Sequence, residues 1–210
     1  MRWILTRPVE GDDLGLTVVP CIERHPLPWP PYPPGRLLVF VTSPTVAKHL
    51  ATHPPPQGTR IAAVSPATSA LLKQVDLVEP GGAVALAHAV LAWASEPYEI
   101  FYPTSDAGTQ QPEQEEAITL LETLHTVHRH VVYEVRAPKG LSLVLPRLEG
   151  CGFVFYSPSA VKHFAEAGGV PAAAICFGAS TLRAYEAHEG WPKAVLAHRH
   201  EDVAAAVRAY

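Results

Sequence analysis

Val39-Phe40-Val41-Thr42-Ser43-Pro44 runs into Thr45-Val46-Ala47-Lys48-His49-Leu50, and Phe153-Val154-Phe155-Tyr156-Ser157-Pro158 runs into Ser159-Ala160-Val161-Lys162-His163-Phe164. Each reads as an apolar strand, a hydroxyl turn and a helix opened by proline. A second strand, small-residue turn and helix follows each: Ile61-Ala62-Ala63-Val64-Ser65-Pro66-Ala67-Thr68 answers Ala174-Ile175-Cys176-Phe177-Gly178-Ala179-Ser180-Thr181. Thr68 lies 25 residues after Ser43, and Thr181 lies 24 after Ser157. One βαβα unit written twice at nearly equal spacing predicts an α/β protein of two similar lobes, each a parallel sheet with flanking helices.

Working outward, strands are expected near 2–6, 17–24, 37–41, 60–64, 76–78, 98–102, 130–136, 152–156, 173–177 and 194–197. Helices are expected near 44–52, 66–74, 83–94, 112–126, 158–167, 179–188 and 201–209. The first strand precedes the first copy, while the second copy runs on to residue 210. The simplest closure adds that strand to the later lobe, giving a discontinuous lobe of 1–24 plus 137–210 and an inserted lobe of 36–130. The crossings at 20–35 and 131–137 then form a two-stranded hinge. Within the first, His25 to Pro34 is proline-rich and reads as a stiff connector, with a PxxP docking motif as the rival reading.

With 48% hydrophobic and 17% charged residues in a chain of 210, the composition is that of a globular protein. The apolar run at Trp3-Ile4-Leu5 is too short for a signal peptide, and no stretch reaches the ~20 apolar residues that cross a bilayer. No membrane or nucleic-acid partner is expected, since a net charge of −4 does not suit a polyanion such as DNA or RNA. Cys21, Cys151 and Cys176 are odd in number and set among apolar neighbours, as packed thiols of a reducing cytoplasm are.

These motifs, in their order and spacing, are similar to the uroporphyrinogen-III synthase family. The likeness rests on Ile4-Leu5-Thr6-Arg7-Pro8, the turns Thr42-Ser43-Pro44 and Val64-Ser65-Pro66-Ala67-Thr68, the strand Val131-Val132-Tyr133-Glu134, and the turns Tyr156-Ser157-Pro158 and Gly178-Ala179-Ser180-Thr181. The resemblance implies the inserted-lobe layout and a cofactor-free cyclisation of hydroxymethylbilane to uroporphyrinogen III with inversion of the terminal ring. It implies a small-molecule tetrapyrrole substrate and a cytoplasmic location, and it makes the enzyme that supplies hydroxymethylbilane a candidate partner. The rival readings are a two-lobed protein that binds a tetrapyrrole or other polyanion without turnover, and a nucleotide enzyme, which the missing G-x-G-x-x-G disfavours.

The resemblance also gives Tyr133 the role of helping the substrate's hydroxyl leave. A phenol is protonated at neutral pH and can donate to that oxygen. On residue type alone, a tyrosine in a strand such as Tyr133 is usually a half-buried packing residue. Arg7, Thr42, Ser43, Ser65, Thr68, Ser157, Ser159, Ser180 and Thr181 lie at the carboxyl ends of the predicted strands, where free helix N–H groups favour anions such as the substrate's carboxylates. The hydroxyl residues also suit plain helix capping, and Arg7 a salt bridge. His125, His128 and His130 are expected where a helix ends, complementing its dipole, and no metal is expected there. Two departures from the family stand out: the stretch 7–15 is too short for the full helix expected there, and Ser65 occupies a position where the family prefers glycine.

Overall fold

The computed structural model describes residues 1–7 and 16–209. The short stretch 7–15 thus lies almost wholly outside the described residues. The elements run β1 (Trp3–Leu5), β2 (Thr17–Val18), β3 (Glu23–Pro26), β4 (Leu37–Val41), α1 (Pro44–Thr52), β5 (Arg60–Ala63), α2 (Pro66–Ser69), β6 (Leu77–Val78), α3 (Gly82–Trp93), β7 (Glu99–Ser105), α4 (Pro112–Leu121) and β8 (Thr126–Arg136). They continue with α5 (Leu141–Val144), β9 (Gly152–Phe155), α6 (Pro158–Glu166), β10 (Ala173–Phe177), α7 (Ala179–Glu186), β11 (Val195–Ala197) and α8 (His200–Ala209).

The chain divides into two compact units, Met1–Arg24 with Val135–Tyr210, and His25–Glu134. Two sheets carry them, in the orders β11-β10-β9-β1-β2 and β3-β8-β7-β4-β5-β6. The expected α/β class, with two parallel-dominated sheets and flanking helices, is what the chain adopts. The first sheet has the doubly wound order in which the chain reverses direction between β1 and β9; in the second, the same reversal falls between β4 and β7. Position for position, β1 matches β7, β9 matches β4 and β10 matches β5. The two sheets share one strand order, but β1 and β2 precede the repeat copy in one unit, while β7 and β8 follow it in the other.

The repeated sequence makes repeated local structure. Ser43 caps α1 by accepting the Thr45 N–H, and Ser157 caps α6 by accepting the Ala160 N–H; proline follows each cap. Val46, Ala47 and Leu50 are buried under α1, and Ala160, Val161 and Phe164 under α6. These positions stand three, four and seven residues after their caps, which is one apolar stripe at helical spacing. The β4 strand is buried along its whole length, as expected for a strand covered on both faces.

Four expectations change: the strand predicted for 17–24 divides into β2 and β3, which belong to different sheets. The helix predicted for 112–126 stops at Leu121, whose carbonyl accepts the N–H groups of Leu124 and His125, and the β-branched pair Thr126-Val127 opens β8. His128 and His130 therefore lie on a strand, not at a helix end. The α2 helix is a single turn, shorter than 66–74. Residues 141–148, which fall in none of the expected elements, form α5 and a following 3-10 turn that bury Leu141, Leu145 and Leu148. Among the described residues, no helix is long and apolar enough to cross a membrane.

Candidate functional site

In the His25–Glu134 unit, the carboxyl edge at the β4/β7 reversal gathers four hydroxyls. Thr42 Oγ1 stands 3.4 Å from the Tyr102 hydroxyl, and Ser43 Oγ stands 3.1 Å from the Tyr133 hydroxyl. Tyr102 is fully buried and its phenol is pushed up to about 12 by that burial, so it stays protonated. Tyr133 is 7% exposed.

A β-bulge puts Tyr133 there. Along β7 and β8, Phe101 pairs with His128, Tyr102 with Arg129 and Thr104 with Val131; the register then slips, and Ser105 pairs with Tyr133. Val132 is the extra residue. Without the bulge, in an unbroken register, Tyr133 would share the sheet face of Tyr102, which packs on Phe40 and belongs to the core cluster that includes residues of α3 and α4. With it, Tyr133 turns to the opposite face, under α1, where it meets the Ser43 cap and the His49 ring, centroids 6.2 Å apart.

The rest of that face is aromatic. Trp29 stacks on His53 at 5.0 Å with 15° between planes, and Tyr32 donates its hydroxyl to the His53 carbonyl at 2.6 Å. Phe101 lies between Trp29 at 5.6 Å and His130 at 5.3 Å. Trp29 and Tyr32 thus tie the proline-rich segment down onto its own unit. Burial lowers the pKa of His49 and of His130, with neighbouring histidines as a second cause, which keeps both rings neutral near pH 7.

The second turn of this unit is occupied with itself. Ser65 Oγ accepts the Thr68 N–H at 3.1 Å and donates to Thr68 Oγ1 at 3.0 Å, and Thr68 is 1% exposed. Ser65 is the helix cap here, and Thr68 is the residue it caps.

The Met1–Arg24 with Val135–Tyr210 unit has its own edge at the β1/β9 reversal. Thr6 leaves β1 donating its hydroxyl to the Val154 carbonyl at 2.7 Å. Arg7 follows, half-buried, with its guanidinium 4.1 Å from the centroid of the Tyr156 ring. Its Nε is buried and has no hydrogen-bond partner among the described residues. Tyr156 leans on Phe177 at 5.5 Å, so Arg7 heads a short stack crossing the ends of three strands. Ser157 caps α6, and Ser159 and Ser180 are half-buried. Thr181 is 1% exposed at the start of α7. There the cap position is Gly178, at φ 83° and ψ 152° with no side-chain cap, so the two copies differ: Ser65 closes the start of α2 and Gly178 leaves the start of α7 open.

The structure thus groups Thr42, Ser43 and Tyr133 at one edge, groups Arg7 with Tyr156 and Ser157 at the other, and assigns Ser65 and Thr68 a capping bond. Sequence reasoning missed Tyr102, and it quoted Tyr156 only as part of a turn. A signal for the first was present, since Tyr102-Pro103-Thr104-Ser105 ends a strand in hydroxyls as Thr42-Ser43 does. Burial pushes the thiols of Cys21 and Cys176 up to about 12, leaving them unreactive. Among the described residues no group of three or more His, Cys, Asp or Glu could hold a metal ion.

The sequence model of a family described as "Uroporphyrinogen-III synthase HemD" matches residues 18–206. A search of curated proteins gives no significant match. Among solved structures, the uroporphyrinogen-III synthetase of Helicobacter pylori superposes with a TM-score of 0.70 at 18% identity, covering 100% of this chain and 98% of the other. A mutant uroporphyrinogen III synthase from the extremely thermophilic bacterium Thermus thermophilus gives 0.61 at 16% identity, covering 99% and 97%. At these identities the likeness is one of fold.

Proposed function

Since the chain belongs to the uroporphyrinogen-III synthase family, we propose that it cyclises hydroxymethylbilane to uroporphyrinogen III with inversion of the terminal ring, Tyr133 giving a proton to the departing hydroxyl. The family match over 18–206 carries the reaction. The phenol at the β4/β7 edge supports the assignment of the donor.

In this reading the C–O bond of the hydroxymethyl group breaks, and oxygen leaves as water with the Tyr133 proton. The electron-rich pyrrole supplies the compensating pair and becomes an electrophilic azafulvene-type end. Attack from the substituted carbon of the terminal ring gives a spiro intermediate, which reopens and recloses with that ring inverted. The proton lost as the macrocycle closes returns to the phenolate, so the enzyme ends unchanged and one water is released. Little is asked of acid–base groups; holding both ends of the substrate so that the substituted carbon attacks is the greater part of the task.

Arg7 is assigned to a substrate carboxylate, with the half-buried Ser159 and Ser180 and the uncapped start of α7 nearby in the same unit. The overall reaction is that of a cyclising hydro-lyase. We place it in the cytoplasm, fed by an enzyme that makes hydroxymethylbilane; three buried free thiols suit such a reducing compartment.

The test supplies hydroxymethylbilane enzymatically and resolves the type I and type III isomers after oxidation. Isomer III above the spontaneous background is the expected result, and isomer I alone would leave a binding protein. Tyr133→Phe keeps the ring and removes the donor; turnover is expected to fall by about 10²- to 10⁴-fold, the usual contribution of general acid catalysis. Wild-type turnover would return Tyr133 to packing.

A further inference from the structure

We propose that the Ser43 hydroxyl is a positioning residue for the Tyr133 phenol, directing its proton outward and bonding to the phenolate that forms when the proton leaves. This rests on the reading of Tyr133 as proton donor.

The argument is one of hydrogen counting. A serine hydroxyl offers one hydrogen and two lone pairs. At the α1 cap, Ser43 Oγ already accepts the Thr45 N–H at 3.1 Å, which fixes its rotamer on an extended backbone of φ −140° and ψ 134°. Its other partner among the described residues is the Tyr133 oxygen, also at 3.1 Å. While Tyr133 is protonated, either oxygen can donate. Once the phenol has given its proton away, its oxygen accepts only, and the hydrogen between them must come from Ser43. The Ser43-to-Tyr133 bond then becomes charge-assisted as the transition state is reached. In that arrangement the phenol's own hydrogen points away from Ser43 and is available to a substrate.

Two further features agree. Ser43 opens a nine-residue helix, whose N-terminal partial charge favours a developing anion one hydrogen bond away. His49, a turn and a half into the same helix, faces the Tyr133 ring and is kept neutral by burial, so it brings no rival proton. The bulge at Val132 joins the parts, since without it the phenol would face the other side of the sheet.

The experiment separates capping from positioning. Glycine is nearly as good as serine at a helix cap but has no hydroxyl. Ser43→Gly is expected to lower kcat about tenfold with KM within about twofold, as loss of one bond made mainly in the transition state would. Ser43→Thr, which restores the hydroxyl, should recover most of it. Ser43→Asp keeps the cap bond without a hydrogen to donate and should also lose kcat, which covers the case of a poorly folded glycine variant. In a Tyr133→Phe background, Ser43→Gly should cost nothing further. Full kcat in both Ser43→Gly and Ser43→Asp, with Tyr133→Phe impaired, would overturn the positioning role and leave the donor assignment standing. A loss that persists undiminished in the Tyr133→Phe background, or that falls on KM, would make Ser43 a substrate contact instead. An unimpaired Tyr133→Phe would remove the donor assignment, and this proposal with it.

Discussion

The Arg7 guanidinium lies 4.1 Å from the centroid of the Tyr156 ring, at the point where the sheet order of its unit reverses. A guanidinium lying over a ring leaves its edge clear of that ring, and this edge carries a buried Nε–H with no acceptor among the described residues. Arg7→Lys removes both the planar stack and that donor. We expect KM for hydroxymethylbilane to rise about tenfold, the scale of one lost hydrogen bond to a charged group, with kcat little changed. Steady-state kinetics with isomer analysis measures this, and an unchanged KM would leave Arg7 as packing on Tyr156.

Gly178 lies at φ 83° and ψ 152°, yet a Cβ placed there meets nothing within 4 Å. Its requirement is conformational, and Gly178→Ala should cost about 1–3 kcal/mol through the backbone alone. Urea unfolding gives the value. A neutral substitution would mean that the turn relaxes, and the start of α7 with it.

The cap bonds of Ser65 and Ser157 predict a loss of about 1 kcal/mol each on substitution by alanine. Activity per folded molecule should survive Ser65→Ala, because its hydroxyl is spent on Thr68. A Ser65→Ala variant that keeps its stability but loses turnover would move this serine from the helix to the substrate.

His49, His125 and His130 all lie in the His25–Glu134 unit, and burial lowers the pKa of each in the folded state. The unfolded chain therefore binds protons below about pH 6.5 that the folded unit refuses. Stability is present in full above that pH and declines as pH falls through it. Hydrogen exchange read by mass spectrometry should show β7 and β8 losing protection between pH 7 and pH 5, earlier than β9 and β10. Equal loss in both units would assign the effect to other groups.

The doubled motif made the architecture legible because each copy carries its own cap, proline and buried stripe within a dozen residues. The strand at 126–129 was not legible in that way. Thr126-Val127-His128-Arg129 follows a strongly helical run, and only pairing with Glu99 to Tyr102 on β7 decides its state. Tyr133 could be singled out from its strand, but its sheet face could not, since the single extra residue that turns it over is defined by a neighbouring strand. Ser65 and Gly178 show the opposite case. Their difference was visible as one letter, and its effect, a closed helix start against an open one, followed from the backbone freedom of glycine.

The pairing of β1 with β9 sets a schedule for biosynthesis. Trp3 to Leu5 find their partners at Gly152 to Val154, and β2 pairs with β1, so neither strand has its sheet until β9 has been made. The His25–Glu134 unit is translated entirely within that interval. At about 5–20 residues per second, the buried surface of Ile4 and Leu5 waits roughly seven to thirty seconds on the ribosome while a complete neighbour folds behind it. Nascent chains stalled before Gly152 should therefore hold a protected β4–β8 sheet beside an exposed, chaperone-accessible β1.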